Sequence, residues 1–186
     1  MTTAGAITET TLVAATDAGM HALWNPARFT GITDYPTWEA ALLDDDGITQ
    51  HVQAGAMVPI NIRSDGAFQF LVRVGTAGQA PVLTSRERQY QLVSSQPYLY
   101  LSDGTACLSG IEHIGADLGP PVTTLAVPAG PCAVTIHLID WNAEPGAKDA
   151  QGKPAAGALP DYVILISPEG KTGNPYRTQL LTFDRD

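Results

Sequence analysis

Four histidines, His21, His51, His113 and His137, are the side chains of this chain best suited to proton transfer or metal ligation near neutral pH. None forms a pair at ligand spacing. His137 and Asp140 stand three apart on a strand-like run, which sends them to opposite faces. Glu112 and His113 are adjacent and diverge for the same reason. Acid–base work by this set therefore requires a site assembled across neighbouring loops from Glu112 or His113, Asp117 and Asp140. The catalytic candidates are His113, His137 and Asp140. Trp141, where an apolar run opens into a long loop, is the candidate for ligand contact.

The other familiar chemistries fit poorly. Counted from Asp44, Asp44-Asp45-Asp46-Gly47 puts glycine at the fourth place of a calcium loop, and Gly55 stands where the closing glutamate belongs. Neither a metal nor a cofactor is expected. There is no Gly-x-Ser-x-Gly elbow, and Cys107 and Cys132 sit in apolar, strand-like contexts that suit buried thiols. Gly75-Thr76-Ala77-Gly78 lacks the lysine of a phosphate loop and the third glycine of a dinucleotide turn.

Charge is more informative. Among 186 residues, 19 Asp and Glu face 10 Lys and Arg, for a net charge of −9. That sign argues against a nucleic acid partner, and no apolar run approaches the roughly 20 residues of a membrane span. The carboxylates are unevenly placed. Residues 29–62 contain Asp34, Glu39, Asp44, Asp45 and Asp46 without one Lys or Arg; residues 89–147 contain Asp103, Glu112, Asp117, Asp140 and Glu144, again without one. The rest of the chain is slightly basic. If the two windows adjoin in the fold, they form a one-signed surface able to steer a basic protein partner. Glu39, Asp44, Asp45, Asp46, Asp140 and Glu144 are the expected contact residues. Met1–Gly5 carries no basic residue and no apolar core, so a cytoplasmic location with reduced thiols is expected.

The elements that must position these residues read as mainly β. Mostly period-two runs cover 8–15, 57–62, 67–74, 105–112, 122–127 and 132–141, with 86–94 and 97–101 as one strand bent around Pro97, 161–167 as a buried strand and 178–183 as a last edge strand. Ser64-Asp65-Gly66 and Pro128-Ala129-Gly130-Pro131 read as hairpin turns. In 67–74, Phe68, Phe70, Val72 and Val74 share the face expected to meet the core. Pro36, Trp38, Ala41 and Leu42 predict a helix capped by Asp34 or Tyr35. A second short helix follows, with Asp46 as cap, Ile48 and Val52 inward and Gly55 as stop. The expectation is a single domain over 1–186: an antiparallel β-sandwich or flattened barrel of eight to nine strands, with a small helical insertion near 34–54. Residues 142–160, rich in Gly, Pro and Ala, read as a flexible loop.

Val127 to Ile136 resembles the proline–glycine hairpin of many small bacterial β-sandwich proteins, acidic inhibitors and immunity proteins among them. The likeness spans about ten residues of a turn-and-strand pattern and transfers no functional residue. It supports the β-sandwich expectation; the acidic windows point to a non-catalytic cytoplasmic binding protein with an acidic face, of inhibitor or immunity type. Two alternatives stand beside it. One is a small-ligand binder or hydrolytic enzyme with a site near His113, His137 and Asp140 under the 142–160 loop. The other is a structural subunit of a homo-oligomer, such as a homodimer joined through an unpaired edge strand.

Overall fold

The structure, a computed structural model, describes residues 6–169 and 175–185. Ten strands are present among the described residues: β1 (Thr8–Thr16), β2 (Met20–Trp24), β3 (Met57–Asn61), β4 (Gly66–Val74), β5 (Gln91–Ser94), β6 (Tyr98–Ser102), β7 (Thr105–Gly110), β8 (Thr123–Ala126), β9 (Gly130–Ile139) and β10 (Tyr162–Pro168). Their period-two pattern builds a β-sandwich. In β4 the apolar side, Phe68, Phe70, Val72 and Val74, turns inward; Leu71 and Arg73 turn outward. β9 sends Cys132, Val134, Ile136 and Leu138 inward, and β10 sends Tyr162, Ile164 and Ile166.

One sheet has the order β1-β4-β10-β9-β5, with β6 also pairing along β9; the other has the order β3-β2-β7-β8. Every pairing is antiparallel except β4 with β10. The expected strand count falls short because β2 was not foreseen: all five of its residues are buried, so it shows no alternation. At 178–183 there is no strand, only a bridge from Thr182 to Asn61 that seats Phe183 in the core.

Neither expected hairpin forms. β3 and β4 flank Ser64-Asp65-Gly66 but belong to different sheets, as do β8 and β9 around Pro128–Pro131. Both turns are corners that carry the chain across the sandwich. At the first, the N–H groups of Ile62 and Arg63 both donate to Gly19 O, which holds the end of β3 against the turn leading into β2.

The helical insertion lies where the sequence put it. α1 (Tyr35–Leu42) starts at Asp34, whose carboxylate and Thr37 form a reciprocal capping box. α2 (Asp45–Gln53) has Asp44 rather than Asp46 as its cap, which places Asp45 and Asp46 in the first turn near the positive end of the helix dipole. Ile48 and Val52 are buried as expected, and Gly55 leaves the helix at φ +67°.

A second apolar layer covers the outer face of the larger sheet. Leu83, Ile139, Trp141, Ala147, Leu159, Val163 and Leu165 form it, and the 142–160 segment folds back as its lid. α3 (Ser85–Gln89), in the stretch expected to be strand, packs beside it, with Arg73 gripping Glu87 through two bonds of 2.6 and 2.7 Å. Among the described residues, no helix is long and apolar enough to cross a membrane.

Candidate functional site

A concavity of about 700 Å³ lies between the start of α1 and the 111–122 segment that links β7 to β8. Its walls are tied at two points: Trp38 Nε1 donates to Ile111 O at 2.9 Å, and the Ala116 N–H donates to Ile32 O at 2.8 Å. Buried Ile32 and Ile114 supply an apolar floor. On the α1 wall, Tyr35 is 63% exposed and lies nearly parallel to Trp38, with centroids 6.0 Å apart and planes 23° off.

Three carboxylates line this groove, Asp34 from the first acidic window and Glu112 and Asp117 from the second. The two windows therefore adjoin here, and among the described residues no Lys or Arg lines the groove. Hydrogen bonds from the Thr37 hydroxyl and backbone N–H hold the Asp34 carboxyl below its ordinary value, so it is charged at neutral pH. Glu112 is otherwise engaged. Its two oxygens accept from the Thr16 hydroxyl at 2.9 Å and the Asp17 N–H at 2.8 Å, which fastens the groove to the β1–β2 turn. Gly110 makes this possible, because a Cβ there would lie 2.6 Å from both Glu112 oxygens.

The catalytic candidates are scattered. His113 lines the groove, with its Nε2 3.7 Å from Glu112. His137 lies across the core, on the outward side of β9. Its ring nitrogens meet Ser94 and Gln91 on one side and Thr135 on the other, at 3.0 to 3.1 Å. Burial lowers its pKa to about 4, against a smaller upward pull from Glu87, so it is a neutral, fully bonded imidazole. Asp140 follows the end of β9, 3.9 Å from Arg185. Trp141 Nε1 donates to Asp161, which also holds Arg185 at 2.7 Å.

The expected contact residues divide likewise. Glu39 accepts from the Tyr35 hydroxyl at 3.3 Å and so stands beside the groove. Asp44, Asp45 and Asp46 are exposed beyond the far end of α1, about 12 Å along the helix from Asp34. Glu144 forms a two-bond pair with Arg86, both bonds 2.6 Å, over the lid of the outer layer. Asp140 lies at the Ile139 end of β9, whereas α2 runs into Gly55, whose carbonyl accepts from Leu101, opposite Pro131 at the strand's other end. That strand is about 30 Å long. Among the described residues, no group of three His, Cys, Asp or Glu is placed to hold a metal ion.

The sequence points to Glu112, His113 and Asp117 but does not mark Asp34, Tyr35 and Trp38 as site residues. The available signal was an aromatic pair three apart at a helix start, facing one way, directly after an acidic cap.

No family model matches this chain, and no curated protein matches it significantly. Among solved structures it is similar to one described as crocagin biosynthetic gene J, with a TM-score of 0.56 and 16% identity over 88% of this chain and 97% of that one. That is a likeness of fold, and it agrees with the sandwich described above. A second similar structure is ComJ from Bacillus subtilis, an inhibitor of the DNA degrading activity of NucA, with a TM-score of 0.47 and 10% identity over 88% of this chain and 98% of that one.

Proposed function

We propose that this chain is a non-catalytic binding protein of the inhibitor or immunity type, whose groove between α1 and the 111–122 segment engages a basic protein partner. One observation carries the reading: the two windows devoid of Lys and Arg converge on a single concave surface that also exposes an aromatic pair. A cleft lined by one sign of charge over an apolar floor focuses its field and raises the encounter rate with a partner of opposite sign. Asp34 and Asp117 are the principal contacts in this reading. Glu39 sits at the rim, and Asp44, Asp45 and Asp46 extend the field along α1. Asp140 and Glu144 drop out, since each already faces an arginine of its own chain. The buried free thiols Cys107 and Cys132 suit the reducing cytoplasm proposed as its location.

The test is comparative capture from the native host, eluted with a salt gradient. Immobilised parent protein should retain a basic protein that releases at moderate salt. Asp34→Asn with Asp117→Asn should lower that retention about tenfold, and the triple Asn variant at Asp44, Asp45 and Asp46 should lower it less. A partner held equally well by the groove variant at low salt, or released independently of salt, would overturn the reading.

A further inference from the structure

We infer that the group received by the groove is an arginine guanidinium on an extended segment of the partner, in preference to a lysine ammonium. The inference rests on the groove reading above and specifies the chemistry of its partner.

The first reason is the aromatic wall. Tyr35 and Trp38 lie nearly parallel as a stacked pair, and the Trp38 ring is fixed by its bond to Ile111 O, so the exposed Tyr35 ring face is set in place. A planar, weakly hydrated guanidinium stacks on such a surface; a compact, strongly hydrated ammonium gains less from it.

The second reason is how the carboxylates are engaged. Asp34 uses Oδ1 to accept from Thr37, and Asp117 uses Oδ1 to accept from the Gly119 N–H. Among the described residues, Oδ2 of each has no hydrogen bond within the chain, so each carboxylate keeps an edge for an outside donor. Glu112 has both oxygens engaged and contributes charge alone. A guanidinium's forked N–H groups match a carboxylate edge while its face stays stacked, which three diverging ammonium donors do not do.

The third reason is shape. A cavity of about 700 Å³ exceeds one side chain and accommodates the residues flanking the arginine. The apolar floor at Ile114 suits the methylene stem that arginine buries behind its charged head.

The intact protein carries its own reporter. Trp24 is fully buried and Trp141 nearly so, whereas Trp38 is only half-buried in the groove wall. Emission quenching on peptide addition therefore reads groove occupancy. The probes are three peptides of identical Gly/Ser framework carrying arginine, lysine or citrulline at the same central positions. The arginine peptide should bind about tenfold more tightly than the lysine peptide, and the uncharged citrulline peptide should not bind. Tyr35→Ala, at an exposed position, should erase the arginine preference, while Asp34→Asn with Asp117→Asn should abolish binding of both charged peptides. Equal affinity for arginine and lysine peptides, both lost in the double variant, would overturn the arginine inference and leave the acidic groove standing. Binding of neither charged peptide, or binding indifferent to the double variant, would overturn both.

Discussion

Gly115 illustrates how one position sets the groove's width. A Cβ placed there would lie 2.9 Å from Ile32 O, the same oxygen that accepts the Ala116 N–H across the groove. The obstacle is backbone on both sides, so no side chain can swing away to relieve it. Gly115→Ala should therefore cost about 1–3 kcal/mol in urea unfolding and splay the two walls, with a shift in Trp38 emission. Parental stability with unchanged emission would mean that the 111–122 segment yields freely. At this scale the sequence was legible by residue type and illegible by neighbourhood. His137 has the right chemistry for catalysis, yet it is spent on Ser94, Gln91 and Thr135. Those three partners come from two strands, and no local spacing places them around the ring. Asp34, one of the two helix caps the sequence offers and the one that forms, acquires a second role only because the 111–122 segment lies opposite it.

At the scale of elements, the strand phase of β4 was readable, because a strand with one face on the core must alternate, whereas β10 is buried on both faces and shows no such alternation. The strands' partners were not readable. Turn chemistry reports that the chain reverses, and both Ser64-Asp65-Gly66 and Pro128–Pro131 do so, but between sheets. The signal for α3 was present and missed: Thr84 and Glu87 have the spacing of a capping box, and both halves of it form. Besides its capping box, that short helix is tied to the sheet by a buried ion pair. Arg73 and Glu87 are 6% and 3% exposed, and Glu9 adds a third member at 2.6 Å. Burial pushes the Glu87 carboxyl up, and hydrogen bonds from Arg73 and the Thr84 N–H more than offset this, so its pKa ends below the ordinary value. Glu87→Ala leaves the buried guanidinium with only the half-exposed Glu9 carboxylate and the Val82 carbonyl and should cost about 3 kcal/mol, whereas replacing Arg73 and Glu87 together by Met should cost far less. A urea-unfolding double-mutant cycle measures the difference. Equal losses in the single and double variants would show that packing, rather than the ion pair, seats α3 on the sheet.

The molecule as a whole carries a large negative charge on its surface and three histidines whose protonation folding opposes. Burial lowers the pKa of His21, His51 and His137, the last to about 4. His21 shows why: its Nε2 lies 3.0 Å from Ala14 O, so the N–H donates there, its ring packs edge-on against Phe68 and Phe70, and its buried Nδ1 has no hydrogen-bond partner among the described residues. A second proton would place a charge inside the sandwich. In the unfolded chain these imidazoles titrate near 6.5, so between that pH and about 4 the unfolded state binds more protons than the folded one. Stability from this source is fully present above pH 6.5 and is lost progressively as the pH falls through that window. Acidification also neutralises surface carboxylates and relieves repulsion within a chain of net charge −9, which works in the opposite direction. The total pH profile mixes the two effects; the difference between parent and His137→Gln isolates one imidazole. Gln preserves a donor and an acceptor for the surrounding Ser94, Gln91 and Thr135 and takes up no proton in the window. Between pH 6.5 and 4 the variant should lose less stability than the parent by roughly 2 kcal/mol, after allowance for solvent screening at the ring edge. Urea midpoints taken across that range decide it, because equal losses in the two proteins would mean that the outer layer opens to water before His137 takes its proton.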